Sequence, residues 1–136
     1  MNYKRLATVT RMKTAVGARL SYTYTVIDKA GQTTAENQRG ALTLTDSMTE
    51  ATDAVNVLDD FLTARLPKKG GTPVLKSWCI FNAAEGTRIV YMYDTIDKAG
   101  RTTKRNNQGT LTLLEEVMAD QVAAAAGLRA WLEKRL

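Results

Sequence analysis

The sequence predicts an α+β fold: an internal duplication of a ββββα unit, an antiparallel meander plus one helix, with two repeats packed as a pseudo-twofold body. Three observations lead there. One stretch recurs at a fixed offset, glycine-marked turns divide it into short Thr/Tyr/Val/Ile-rich segments, and each set of segments is followed by one apolar stripe at helical spacing. At an offset of 69, Arg19, Tyr22 and Tyr24 fall on Arg88, Tyr91 and Tyr93, and Ile27-Asp28-Lys29-Ala30-Gly31 falls on Ile96-Asp97-Lys98-Ala99-Gly100. Asn37, Gly40 and Leu42-Thr43-Leu44 match Asn106, Gly109 and Leu111-Thr112-Leu113. Over positions 15–44, 17 of 30 residues are identical to their counterparts.

Extended segments are expected at 5–13, 19–27, 32–36 and 41–45, and again at 74–82, 88–96, 101–105 and 110–114. Gly17 and Gly86 suit a tight turn after the first segment of each copy. Asp28 and Asp97 start turns that end three residues later in Gly31 and Gly100, the chemistry of a type I turn closed by a left-handed glycine. Asn37 to Gly40 and Asn106 to Gly109 read as a third turn of the same kind. The segment Gln32–Glu36 has no apolar face and reads either as a strand or as part of a long loop.

A helix follows each set. Asp46 or Ser47 can cap the first, with Glu50 at capping-box spacing from Ser47. Met48, Ala51, Val55, Leu58 and Leu62 form its apolar stripe. The second opens at Glu115-Glu116, suited to the positive end of a helix dipole, and runs through Val117, Gln121, Ala124, Leu128 and Trp131-Leu132 to Lys134-Arg135. Phe61-Leu62 aligns with Trp131-Leu132 at offset 70, so one extra residue enters the second copy. The expected organisation is a first repeat over 1–66, a Pro/Gly linker over 67–73 and a second repeat over 74–136, sharing one core because each half alone is marginal in size.

On the second segment of each copy, Leu20, Tyr22, Tyr24 and Val26, and then Ile89, Tyr91 and Tyr93, mark the face that packs under a helix. The opposite face is polar in the first copy (Arg19, Ser21, Thr23, Thr25) and partly apolar in the second (Arg88, Val90, Met92, Asp94). Trp78 and Ile80 fall together, opposite Leu75 and Phe81, so the second sheet reads as apolar on both sides. Contact with the other repeat or another subunit explains this, as does base stacking by Trp78. The four tyrosines read chiefly as core.

Composition excludes several function classes. The chain has no histidine and one cysteine, Cys79, which removes His-dependent triads and an intrachain disulfide. No phosphate-cradling loop, dinucleotide fingerprint, zinc spacing or nucleophile elbow is present. No enzyme, metal site or cofactor is therefore expected. Met1–Leu6 runs directly into alternating residues, and no apolar run approaches the ~20 residues of a bilayer-spanning helix. A cytoplasmic protein without membrane partners is the expectation.

The net charge of +5 is unevenly placed. Residues 1–45 hold seven Lys/Arg against two Asp/Glu, and 74–114 hold six against three. The helical stretches reverse the balance, with one against five over 46–66 and three against four over 115–136. A basic sheet side would attract a polyanion. Lys29 and Lys98 at hairpin tips, and Arg101, Lys104 and Arg105 in the second copy, concentrate that charge.

Ala41-Leu42-Thr43-Leu44-Thr45 leading into a helix that ends Leu58-Asp59-Asp60-Phe61-Leu62 looks like the last strand and helix of a PUR unit. Two tandem ββββα units in a basic chain resemble PUR repeats and, in topology, Whirly proteins. The resemblance implies interlocked repeats that bind single-stranded DNA or RNA across curved sheets through basic and aromatic side chains. Carried onto this chain, it points to Arg11, Lys13, Arg19, Lys76, Trp78 and Arg88 on the face away from the helices. This sequence departs from symmetry at Arg11, matched by Ile80, and at Lys13, matched by Asn82. The expected function is non-enzymatic nucleic-acid binding. The alternative is a structural or interaction module that forms a homo-oligomer through the apolar outer face of the second repeat.

Overall fold

The computed structural model describes residues 3–14, 17–84 and 86–136. Three strands, β1 (Tyr3–Thr14), β2 (Gly17–Ile27) and β3 (Thr33–Thr43), precede helix α1 (Thr49–Arg65). Three more, β4 (Thr72–Ala83), β5 (Gly86–Ile96) and β6 (Thr102–Thr112), precede α2 (Ala119–Glu133). The fold is α+β, with one six-stranded antiparallel sheet in the order β3-β2-β1-β4-β5-β6. Ala15, Val16 and Glu85, at the tight turns expected before Gly17 and Gly86, lie outside the described residues.

The pattern is three strands and a helix, taken twice, so the expected four-strand unit is corrected. The segments expected at 32–36 and 41–45 are one strand, β3, and those at 101–105 and 110–114 are β6. The residues read as a turn between them form a bulge. Tyr24 pairs with Gln38 and Val26 with Ala35, so Glu36 and Asn37 together face Thr25. Arg105 and Asn106 likewise face Asp94. Asn37 and Asn106 each adopt φ 56°, a conformation Asn tolerates better than most residues. The Asn signal was therefore a bulge signal.

Gly40 and Gly109 serve the same strands in a different way. Gly40 is the direct partner of Tyr22, and Gly109 of Tyr91. A Cβ on Gly40 would stand 2.5 Å from Cε2 and Cζ of Tyr22, and one on Gly109 would strike the Tyr91 ring. Each glycine is a slot over which a tyrosine ring lies, restoring the apolar cover that glycine lacks. The turns at Asp28 and Asp97 form as expected: Oδ1 of Asp28 accepts from the amides of Ala30 and Gln32 at 2.9 Å, and Oδ1 of Asp97 from Ala99 and Arg101 at 2.9 Å. Gly31 and Gly100 follow at φ 82° and 81°, where a side chain would be strained.

The halves meet at β1 and β4, whose pairing runs from Thr8↔Phe81 to Met12↔Ser77 with Thr10↔Cys79 at its centre. Both helices cover one face. Each makes its main sheet contacts with the other half's central strand, α1 with β4 and α2 with β1, and the helices pack on each other. The shared core includes Val9, Leu20, Ile80 and Ile89 from the sheet and Val55, Leu58, Leu62, Leu128 and Leu132 from the helices. Neither half closes this core alone, which is how a chain of this size buries enough apolar surface.

Bulges at Ala7 and Lys76 shift the register of β1 and β4. Leu6 and Val9, and likewise Leu75 and Trp78, are buried together although three residues apart. Strict alternation sets Leu75 opposite Trp78; the bulge turns both inward.

The helix starts also differ from expectation. Met48 and Met118 are the N-caps, without side-chain caps, and the Ser47 hydroxyl pairs with Thr45 at 2.9 Å. Glu115, Glu116 and Val117 precede α2 in a turn, with Val117 74% exposed. The C-terminal ends are alike: Arg65 lies over the Phe61 ring and Arg135 over Trp131, at 4.4 and 3.7 Å. Among the described residues no helix is long and apolar enough to cross a membrane.

Gly40→Ala is expected to cost about 1 kcal/mol because the Tyr22 ring must move off its slot, and that cost should shrink in a Tyr22→Val background. Gly127→Ala, on the exposed face of α2 where nothing lies within 4 Å of the added methyl, should stabilise by up to about 1 kcal/mol. Urea denaturation of both variants checks the opposite signs. Equal effects would show that Gly40 is not shaped by Tyr22.

Candidate functional site

Arg11 and Trp78 are direct cross-strand partners at the seam, and both face α1. Arg11 is 3% exposed and Trp78 1%. Asp59 on α1 joins them: Oδ2 accepts from Arg11 Nη2 at 2.6 Å, and Oδ1 from the Trp78 indole Nε1 at 2.6 Å. Arg11 Nη1 also reaches the carbonyl of Lys76 at 3.3 Å, on the bulge of β4. These two residues belong to the interior, so their assignment to the helix-free face is corrected. A guanidinium can be buried here because a carboxylate neutralises it in close geometry.

Lys13 has the same parity as Arg11 and lies on the helix side of β1, exposed, beside Asn56 and Asp59. Arg19 and Arg88 flank the buried Leu20 and Ile89, so both take the helix-free face; Arg19 is exposed and Arg88 half-buried. Lys76, 43% exposed, is tied to Asp94 at 3.6 Å and donates to Asn106 Oδ1 at 2.8 Å. Lys29 and Lys98 stand exposed at the two hairpin turns, and Arg101, Lys104 and Arg105 are exposed along the outer edge beside and within β6. The sheet therefore does not gather all eleven residues into one patch. It separates a buried pair, one helix-side lysine and a set spread over the open face, tips and edge.

Sequence reading missed Arg39. Expected in a turn, it lies instead in β3 as the partner of Thr23 of β2 and stands exposed beside a depression of about 440 Å³ on the open face, with Thr8, Thr10 and Ser21. The Thr8 and Thr23 hydroxyls meet there at 2.7 Å. Its signal was parity with Ala41 and Thr43, which becomes legible only once β3 is one continuous strand. In the second half the open face is apolar at Cys79, Phe81, Val90 and Met92, joined across the seam by Met12. The tyrosines do not stand there as stacking platforms. Tyr22, Tyr91 and Tyr93 pack against the core on the helix side, and Tyr24 lies under Lys4 at 5.4 Å.

The helix layer has the opposite character. Between α1 and α2 runs a groove of about 820 Å³ with an apolar floor including Val57 and Phe61, and among the described residues its lining carries Glu50, Asp53, Asp60 and Asp120 without a lysine or arginine. On α2, Arg129 donates to the carbonyls of Leu6 and Ala7 at 3.1 and 3.3 Å. Burial draws its pKa below the ordinary value, and Glu133 opposes that shift. No group of three or more carboxylates or thiols converges as a metal site requires among the described residues.

Asp59→Ala leaves the Arg11 charge buried and the Trp78 N–H without its acceptor, an expected loss of about 3 kcal/mol. Arg11→Met with Asp59→Leu should recover part of that loss, since the charge goes with its partner while the Trp78 N–H stays without an acceptor. Chemical denaturation measures both; an Asp59→Ala protein as stable as the parent would show that the Asp59 carboxylate does not hold Arg11 and Trp78 in place. Comparison with models of known families, with characterised proteins and with solved structures finds no match.

Proposed function

We propose that this protein is a non-enzymatic module that binds single-stranded nucleic acid on the helix-free side of its sheet. We also read its two halves as copies of one βββα unit about a pseudo-twofold through the Thr10–Cys79 pair. The observation that carries the binding reading is charge segregation. Arg19, Arg39, Lys29, Lys98, Arg101, Lys104 and Arg105 sit on the open face, turns and outer edge, while the inter-helix groove is lined by four carboxylates. A phosphate backbone would be drawn to the first surface and repelled by the second. The hydroxyls of Thr8, Thr10, Ser21 and Thr23 supply neutral phosphate and sugar contacts. With Trp78 and the core tyrosines withdrawn, stacking falls to Phe81 and the exposed Tyr3 at the start of β1, so backbone contacts dominate and sequence preference is weak.

A second reading has its own observation. Met12, Cys79, Phe81, Val90 and Met92 form an apolar patch at the centre of an uncovered sheet face, the composition of an interaction surface. On that reading the protein associates with a partner or with itself, and nucleic acid is irrelevant.

Fluorescence anisotropy with a labelled single-stranded oligonucleotide tests the first reading. Affinity should fall on the order of tenfold between 50 and 200 mM salt for about three phosphate contacts, and Arg19→Ala and Arg39→Ala should each flatten that slope. Absent binding in dilute buffer, or binding indifferent to salt, overturns it. A salt-resistant oligomer in sedimentation that ignores the oligonucleotide establishes the second.

A further inference from the structure

Two buried polar atoms have no hydrogen-bond partner among the described residues, Arg11 Nε and Thr52 Oγ1. Their residues line the same cavity, about 500 Å³, between α1, the β1–β2 hairpin and the end of β3. Lys13, Asn56 and Asp46 also line it. Its volume falls within the range of small-molecule sites rather than that of a single trapped water.

The other half of the chain supplies an internal control. At the established offsets, Arg11, Thr14 and Thr45 correspond to Ile80, Ala83 and Leu114. On the helices Thr52 corresponds to Val122 and Asn56 to Ala126. At these five positions the second half is apolar, while Asn82, Glu115 and Arg129 stay polar where the first half has Lys13, Asp46 and Asp59, and it carries the same strands and helix. The fold does not require the polar set. Unpaired buried polar atoms are destabilising, so their concentration on one side, around one cavity, calls for a reason outside folding.

We infer that this cavity is a binding site for a small molecule bearing a carboxylate or phosphate group. Arg11 Nε can only donate, so the atom it meets must be an acceptor, and a guanidinium edge selects an oxyanion. The Thr52 hydroxyl provides a second donor, and Lys13 adds positive charge where the cavity opens. Both oxygens of Asp59 are engaged by Arg11 and Trp78 at 2.6 Å, so that carboxylate positions Arg11. Asp46, exposed on the lining, opposes further negative charge, so the occupant carries little charge beyond the group that meets Arg11. The site is on the helix side and stands apart from the nucleic-acid reading.

The test is titration of the isotope-labelled full chain with inorganic phosphate and, separately, with acetate, followed by amide chemical shifts. Expected are saturable millimolar shifts at Lys13, Thr52 and Asn56, and the stronger of the two anions identifies the ligand group. Thr52→Val and Lys13→Asn, which install the second half's residues, should each weaken binding at least several-fold. Thr52→Val should melt no lower than the parent without ligand and should leave oligonucleotide binding unchanged. Silence of these amides toward both anions, shifts confined to the open sheet face, or undiminished binding in both variants overturns the inference.

Discussion

The Asp59 carboxylate is the contact on which the arrangement of the two halves turns. It comes from α1, and its two oxygens hold one residue from each central strand, Arg11 of β1 and Trp78 of β4. Those residues face each other directly across the seam, so a single side chain ties the helix to the register of the two central strands. Hydrophobic burial alone specifies a seam loosely, because Val, Leu and Ile tolerate sliding and repacking. A charged fork with two short hydrogen bonds does not. The cost of burying Arg11 is thus offset only in the native register.

Both bulges in the central strands are served by a guanidinium. The Lys76 carbonyl receives Arg11 Nη1, while the carbonyls of Leu6 and Ala7 receive Arg129. Ala7 and Lys76 are 69 positions apart, and Asp59 and Arg129 are 70 apart. One half therefore draws its donor from the strand, held by an acidic helix residue, and the other takes it straight from the helix. The physical demand is common to both: a bulge interrupts the ladder beneath a helix, where water is scarce, and its carbonyls need another donor. Opposite charges at corresponding positions on the helices meet the same need.

Placing both helices on one face leaves the other face to a partner or to solvent. The interior takes Arg11 and Trp78, the helix groove collects carboxylates, and the open face, turns and edge keep Arg19, Arg39, Lys29, Lys98, Arg101, Lys104 and Arg105, while Lys13, Arg65 and Arg135 stay on the helix side. This separation is a tertiary consequence. In the sequence the same cations alternate with core residues and cannot be sorted by side until the register is fixed. The bulges at Ala7 and Lys76 change that sorting, because each reverses the parity of every residue beyond it.

By itself the sequence determined the duplicated turn chemistry, the two helices with the stripe Ala51–Val55–Leu58–Leu62, and the inward face of Leu20 and Ile89. These depend on local geometry and periodicity, which neighbouring residues dictate. Tertiary structure decided that Asn37 and Asn106 make bulges, since Asn adopts left-handed φ in turns and bulges alike and only a paired partner strand tells them apart. It likewise decided that Gly40 and Gly109 lie beneath tyrosines, a role visible only across the sheet. It also decided that Arg11 and Trp78 go inside. Arginine on a strand is normally solvated, and only a carboxylate 48 residues away in the chain, brought over the seam by α1, makes its burial favourable.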